Sequence, residues 1–483
     1  MELMEKEVEI FYKIYQKYGQ EHVWEFYETF CKKEREEFLK QIKTICPDTF
    51  NKILFKTIQE EDQKVKGEIK PISLDMLGST IDASQEELSR WMSIGLENIF
   101  HNRVAVILLA GGQATRLGTD GPKGCFDIGL PSHKSLFQLQ AERIRRLMTL
   151  AQIKYNSSMP VSIPWYIMTS NSNRSATEEF FFKYNFFGLE KNIIFFNQED
   201  IPCFSYTGKF LLETKSKIAV SPNGNGGIYK ALLNSNILDD LMVRKIQHIH
   251  CFCVDNCLVR VADPIFIGFS IERDLDVSTK VVRKHKASEK VGLVVLKNGK
   301  PSIIEYNEID TKISEALDES SNLLKFRLAN IANHYFNIRF LFKISAYESK
   351  LPYHISKKKV PFYDIQSKKT IVPETSNAIK LEKFIFDVFS EVSLNKFGCL
   401  EVARFDEFSP LKNSLEIEED NANTSRRDIL SQGRRWVEQA HGILIGNPFY
   451  GIEISPLVSY AGENLEFMQG KCYQVLSIIE NES

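Results

Sequence analysis

The sequence predicts an α/β protein with a central sheet, a helical segment ahead of it and a smaller β-rich segment behind it. Three observations carry this. From about residue 101, apolar runs of strand length alternate with helical patterns. Before that point, apolar residues recur at helical spacing. The 483-residue length also exceeds what one hydrophobic core normally spans. The expected segments are therefore 1–100, helical; 101–395, central; and 396–483, small and β-rich.

Each element follows from its own pattern. Phe11, Ile14, Tyr15 and Tyr18 fall at i, i+3, i+4 and i+7, and Val23, Phe26, Tyr27 and Phe30 repeat the spacing, so both predict helix. Pro47 in the Cys46–Asp48 triplet marks a break, because proline resists a continuing helix. VAVILLA, starting at Val104, is continuously apolar, as in a strand buried on both faces. SLFQLQAERIRRLMTLA has helical period, PWYIMTS reads as a strand, and SATEEFFFKYN reads as a helix with Ser175 as N-cap. NIIFFNQ, IQHIHCFCVDN, VGLVVLKNG and YFNIRFLF are further strand candidates. SKKKVPFYD, with Lys357 to Lys359, reads as a solvated loop, and AIKLEKFIFDVFSEV as a helix. VSYAGENLEFMQGKCYQV gives the tail its β-rich character.

Composition narrows the class. Hydrophobic residues make up 43% and charged residues 26%, with a net charge of -2. That balance excludes a bulk electrostatic pull toward nucleic acid or membrane. No window approaches the roughly 18 apolar residues of a membrane helix, and MELMEKEVEIFYK lacks the basic start and apolar stretch of a signal peptide. Nine scattered cysteines fit reduced thiols rather than a disulfide framework. A cytoplasmic protein is expected, in which the glycosylation-like triplets at Asn156, Asn173 and Asn423 carry no meaning.

One stretch carries chemistry. Leu108 to Gly124 reads LLAGGQATRLGTDGPKG, with five glycines, Arg116 and Lys123 directly after an apolar strand. A strand feeding a glycine-rich turn presents free backbone N–H groups to phosphate oxygens. The Walker pattern is excluded, since Thr119 and not lysine follows Gly118, and the dinucleotide pattern GxGxxG is absent. The arginine fork and the compact lysine charge suit a triphosphate, whose charge grows in the transition state.

These motifs resemble those of the eukaryotic UDP-N-acetylhexosamine (UDP-N-acetylglucosamine) pyrophosphorylases, whose signature is LAGGQGTRLG followed by GPKG. The likeness continues through FNQEDIPCF, SPNGNGGIY, CVDNCLVRVADP, VVRKHKASEKVG, IIEYNEI, LANIANHYF, LPYHISKKKVP, IKLEKFIFDVF and DEFSPLKN, densely over about residues 100–415. The resemblance implies a Rossmann-like nucleotidyltransferase (GT-A-like) mixed sheet. It also implies a reaction: UTP and N-acetylglucosamine 1-phosphate give UDP-N-acetylglucosamine and pyrophosphate, with Mg²⁺. Carried over position by position, it implies that Leu109, Ala110, Gly111 and Gly112 contact the nucleotide. Arg116 and Lys123 hold the triphosphate. Gln198 reads the uracil edge, Gly224 meets the nucleotide, and Asp255 holds Mg²⁺ near the phosphates. Asn225, Glu305, Tyr306 and Asn330 contact the sugar, and Lys380 and Lys412 reach the phosphates.

Two positions depart from the family pattern. Ala114 replaces a glycine, which would strain the loop if the position requires positive φ. Asn197 differs ahead of Gln198. Cys251, Cys253 and Cys257 suggest a metal, but Cys251 and Cys253 alternate along a strand and read as small core residues rather than a zinc pair. Lys412, near the start of the tail segment, implies a cleft between that segment and the central one that closes over the sugar phosphate. Two rivals stay open: a pyrophosphorylase acting on glucose or N-acetylgalactosamine 1-phosphate, and a non-catalytic homologue.

Overall fold

In a computed structural model of the chain, which describes residues 2–62, 67–306, 308–319 and 321–480, Val104–Leu109 is buried at every position. It lies inside a sheet of eleven strands among the described residues. The main path runs Leu77–Ser79, Phe397–Glu401, Val277–Arg283, Leu328–Asn337, His248–Cys253, Val104–Leu109, Trp165–Thr169, Ile193–Asn197. Leu328–Asn337 is antiparallel to both neighbours, and the other pairs on this path are parallel. The sheet is therefore mixed. Helices Gln85–Phe100, Leu136–Lys154 and Pro264–Glu272 supply its crossovers and cover. The core built on Val106, Leu108, Phe137, Ile144, Trp165, Ile167 and Phe181 packs the 136–154 helix against it.

The chain divides into two compact units, one of residues 1–66, 198–231 and 349–387, the other of residues 67–197, 232–348 and 388–483. This differs from the three consecutive segments 1–100, 101–395 and 396–483. Helix Gln85–Phe100 goes with the sheet because its backbone meets the 264–272 helix closely. A Cβ on Gly95 would lie 2.0 Å from the Pro264 carbonyl oxygen, and one on Gly268 1.9 Å from that of Trp91. The tail does not stand alone either, since Phe397–Glu401 is an inner strand of the sheet. The tail is also less β-rich than expected. Its largest element is the helix Ala422–Gln439, started by a capping box of Asn421 and Thr424 and carrying buried Ile429, Leu430, Trp436 and Val437 at helical spacing.

In the first unit, helices Glu2–Lys17, Lys32–Thr44 and Pro47–Asp62 pack around Tyr15, Trp24, Phe38 and Leu54. The same core takes in Phe204, Ile379 and Leu381 from short strands later in the chain, and Phe210, which forms an isolated bridge with Phe204. The expected helix through Val23, Phe26, Tyr27 and Phe30 is instead two 3₁₀ turns, Glu21–Trp24 and Tyr27–Thr29. Aromatic packing sets this segment: Trp24 lies 4.9 Å from Phe38 and 5.2 Å from Tyr27, ring centre to ring centre. The expected helix at 378–392 opens as the strand Ala378–Glu382 and continues as the 3₁₀ stretch Ile385–Glu391. Ile379 and Leu381 face the core on alternate positions, so the period there is two. Lys357 and Lys358, expected in a loop, end the strand His354–Lys358 that pairs with it.

Among the described residues no helix is long and apolar enough to cross a membrane.

Candidate functional site

The glycine stretch leaves the carboxyl end of its strand between two neighbours. Ala110 N donates to Met168 O at 2.9 Å, and Val254 N donates to Leu109 O at 3.2 Å. In a parallel sheet this is the edge where ligands bind. The loop is tied from the side. Asn173 Nδ2 donates to Ala110 O at 2.8 Å, and Ser170 Oγ to Gly111 O at 3.2 Å. Asn173, which begins a glycosylation-like triplet, is itself 1% exposed. It is also the N-cap of helix Arg174–Lys183, two residues ahead of the expected Ser175, with its side chain accepting from Ser170 N at 2.9 Å in the preceding turn.

The loop's glycines differ in purpose. A Cβ on Gly112 or Gly118 would meet nothing within 4 Å, so this backbone faces open space. Gly118 and Gly121 have φ of 80° and 125°, conformations that favour glycine. Gly124 serves packing, since a Cβ there would lie 2.2 Å from the Phe137 ring. Ala114 sits at φ -88°, ψ 14°, an ordinary conformation for alanine, so the departure brings no strain. Asn197 is equally settled: its Oδ1 accepts from Thr169 Oγ1 at 2.6 Å, and its Nδ2 donates to Asn171 Oδ1 at 2.8 Å. Arg116 is exposed, with no ion pair among the described residues.

Lys123, Asp255 and Lys412 gather at the same edge. Lys123 is held at the loop by its N–H, which donates to Gly112 O at 3.3 Å. Its Nζ lies 3.7 Å from Asp255 Oδ2 and donates to Leu411 O at 3.1 Å. Leu411 N donates in turn to Asp255 O at 2.8 Å. Lys412 follows directly, with Nζ 3.9 Å from Asp420 Oδ2. Burial pushes the Asp420 carboxyl up, against the pull of Lys412. Lys412 thus belongs to the same unit as the glycine loop, next to Leu411, which bonds Asp255 O, and with its own N–H donating to Asp420 O at 2.7 Å. The expected cleft between a central and a tail segment is not needed to bring it there. Burial raises the thiols of Cys251, Cys253 and Cys257, the last to about 12, as for core residues.

Asp255, two residues past the strand His248–Cys253, presents one partly exposed carboxylate. Among the described residues, no three His, Cys, Asp or Glu side chains come together as a metal cage. One carboxylate does fit a Mg²⁺ ion, which keeps several waters and takes its remaining ligands from substrate phosphates.

Glu305 and Asn330 meet at Gly292. Glu305 follows the strand Lys300–Ile304, which pairs with Leu293–Lys297. Asn330 N donates to Gly292 O at 2.9 Å. A Cβ on Gly292 would lie 3.3 Å from Glu305 Oε1. Asn330 Oδ1 accepts from Ala332 N at 3.0 Å, within the irregularity where this strand shifts register against Val277–Arg283. Tyr306 is 45% exposed beside Glu305.

The other unit holds Gln198, Gly224, Asn225 and Lys380. Gln198 is 5% exposed, and its Oε1 has no partner among the described residues; nor has the Oδ1 of buried Asn223. A Cβ on Gly227 would lie 3.4 Å from that Gln198 oxygen. A buried amide oxygen without a partner is costly, and this one can accept a further donor. Gly224, at φ 78°, and Gly226 are required by the chain itself: a Cβ on either would meet the 383–384 backbone at 2.6 Å. Asn225 Oδ1 accepts from Ile385 N at 3.0 Å, leaving its amide nitrogen for other partners. Lys380 lies on the strand Ala378–Glu382, close enough to Cys203 for its charge to favour the thiolate against burial.

Two residues were not singled out from sequence. Asn173 was hidden in a glycosylation-like triplet, and Asn256 in a cysteine-rich run. The usable signal for Asn256 was a polar side chain directly after an apolar strand and its terminal carboxylate.

Comparison with known proteins agrees with this geometry. The family described as UTP–glucose-1-phosphate uridylyltransferase matches residues 47–463. The chain is similar to the UDP-N-acetylglucosamine pyrophosphorylase of Saccharomyces cerevisiae, 44% identical over 95% of this chain and 97% of the yeast protein. Among solved structures it is similar to a putative UDP-N-acetylglucosamine pyrophosphorylase from Entamoeba histolytica. That pair has a TM-score of 0.77 and 34% identity, over 86% of this chain and 100% of that one. It is also similar to the Trypanosoma brucei uridine diphosphate N-acetylglucosamine pyrophosphorylase, with a TM-score of 0.83 and 28% identity over 98% of each chain. With a nucleotidyltransferase sheet, a glycine loop at its carboxyl edge and a family match across most of its length, the chain belongs to the UTP–glucose-1-phosphate uridylyltransferase family.

Proposed function

We propose that this uridylyltransferase joins UTP to N-acetylglucosamine 1-phosphate, giving UDP-N-acetylglucosamine and pyrophosphate. The observation that carries the reading is the open backbone at Gly112 beside Lys123, whose ammonium is shared between Asp255 and the Leu411 carbonyl. The sugar phosphate oxygen attacks the α-phosphorus of UTP, and the bond from that phosphorus to the bridging oxygen breaks. Pyrophosphate leaves with the electron pair. The attacking oxygen is already anionic, so no general base is required, and catalysis rests on positioning and charge neutralisation. Lys123 and Arg116 neutralise the triphosphate, and Lys412 the sugar phosphate. Glu305 and Asn330, which share the Gly292 turn, accept and donate hydrogen bonds to the sugar. Gln198, buried with an unpartnered oxygen, reads the uracil edge. Mg²⁺ on Asp255 supplies further charge neutralisation at the phosphates when bound.

The 44% identity to the yeast protein supports N-acetylglucosamine 1-phosphate as acceptor. The family's description favours a second reading, with glucose 1-phosphate in that place. A cytoplasmic setting is part of the proposal and rests on the nine scattered cysteines. A coupled pyrophosphate-release assay with the 1-phosphates of N-acetylglucosamine, N-acetylgalactosamine, glucose and galactose tests the substrate. The expected result is highest kcat/KM for N-acetylglucosamine 1-phosphate. Preference for glucose 1-phosphate would install the second reading, and no release with any of them would refute both.

A further inference from the structure

Asn256, directly after Asp255, is 3% exposed and makes three hydrogen bonds through its side chain. Its Nδ2 donates to Glu407 O at 2.7 Å, and its Oδ1 accepts from Ser409 N at 3.0 Å and Leu258 N at 3.2 Å. Around it the backbone closes the same seam. Cys257 N donates to Ser409 O at 2.9 Å, and Leu411 N to Asp255 O at 2.8 Å. One side chain thus joins the two segments that carry Asp255 and Lys412, which are far apart in sequence. Lys123 reaches both through Asp255 and the Leu411 carbonyl.

Beneath the seam lies a buried ion cluster. Lys280, 0% exposed, donates to Asp263 Oδ2 at 2.5 Å and to the Glu407 carboxylate. Arg260 Nη1 lies 3.6 Å from the other Glu407 oxygen. Two cations face two carboxylates, so the charges balance. Buried ion pairs add little net stability, because desolvation offsets their attraction, but they hold their members to one geometry. Here the member held is Glu407, whose carbonyl takes the Asn256 amide.

We propose that Asn256, anchored on this cluster, is a positioning residue that sets Lys412 relative to Asp255 and Lys123. The inference rests on the uridylyl-transfer reading. Asn256 touches no reacting atom; it acts through the 409–412 segment. A structural role alone would lower turnover in any background, whereas positioning of Lys412 must lose its effect once Lys412 is gone.

A double-mutant cycle with Asn256→Ala and Lys412→Ala tests this. Asn256→Ala is expected to lower kcat/KM for the sugar phosphate about 10-fold or more in the wild-type background, and less than about 2-fold in the Lys412→Ala background. Asn256→Asp, which keeps the acceptor and loses the donor, is expected to fall between wild type and Asn256→Ala. Amide exchange gives a readout independent of turnover: the Cys257, Ser409 and Leu411 amides should exchange faster in Asn256→Ala while the sheet amides do not. Equal fold-losses in both backgrounds, wild-type kcat/KM in Asn256→Ala, or unchanged exchange would overturn the proposal. So would failure of both Asn256 variants to fold, which would make the residue a folding element. Wild-type protein that releases no pyrophosphate while Asn256→Ala still loosens those three amides would sink the uridylyl-transfer reading and leave the seam intact.

Discussion

Lys123 Nζ lies 3.7 Å from Asp255 Oδ2, joining the glycine loop to the end of the strand His248–Cys253. The lysine also holds the Leu411 carbonyl at 3.1 Å, so its position does not depend on the carboxylate alone. Charge at Asp255 can therefore be removed without releasing Lys123. Asp255→Asn should fold normally and lose most of its pyrophosphate release. Chelator should stop the wild-type reaction, Mg²⁺ should restore it, and the variant should need far more Mg²⁺. A magnesium titration of both proteins checks this, and superimposed curves would remove Asp255 from the phosphate site.

The glycines of the loop should separate by substitution. Gly124→Ala forces a methyl group into the buried Phe137 ring and should cost about 1–3 kcal/mol by overpacking, read as a lowered Tm. Gly112→Ala adds a methyl group in open space, so Tm should hold while KM for UTP rises. A Gly112→Ala protein with unchanged KM would mean that this backbone does not face the nucleotide.

Lys412→Ala should raise KM for the sugar phosphate strongly and leave UTP binding nearly unchanged. The side chain is half exposed, and its ion pair with Asp420 is 3.9 Å long, so stability should change by about 0.5 kcal/mol or less. Isothermal titration of UTP beside steady-state kinetics separates the two effects. Equal losses for both substrates would contradict the assigned role.

Acid should destabilise the sheet before most carboxylates protonate. Burial lowers His248 and His250 to about 4 and His334 to about 3. Their folded values lie below the unfolded value of about 6.5, so the unfolded chain binds more protons between those limits. The stability they contribute is complete above about pH 6.5 and is lost as pH falls toward 4. Tm measured from pH 7 to pH 4 should drop through this window, and His250→Gln should flatten the drop. A flat Tm down to pH 4 would show that these rings are protonated in the folded protein.

Much of the site was legible because its parts are local in sequence. The strand Val104–Leu109, its glycine loop and Lys123 form one continuous run, and Asp255 sits directly beyond another apolar strand. What sequence could not show is pairing across long separations. The strand Ala378–Glu382 reads as a helix until its partners at 354–358 and 204–205 impose a period of two. The segment around Val23 to Phe30 has helical spacing, but Trp24, Tyr27 and Phe38 pack as a tight aromatic cluster that 3₁₀ turns serve better. Phe397–Glu401 gives no local sign that it enters the main sheet beside Val277–Arg283. The position of Asn256 after a strand could be read, but its bonds to 407 and 409 could not, for the same reason.

The central claim is that Lys123, fixed beside Asp255, neutralises the triphosphate during uridylyl transfer. The direct measurement is kcat/KM for UTP in Lys123→Ala, at saturating N-acetylglucosamine 1-phosphate and Mg²⁺, with Tm recorded on the same preparation. Loss of one transition-state charge contact predicts a fall of about 10²-fold or more. Tm reads separately whether losing the Lys123 side chain, 15% exposed and hydrogen-bonded to the Leu411 carbonyl, also costs stability. A folded variant whose kcat/KM lies within about twofold of wild type would contradict the account.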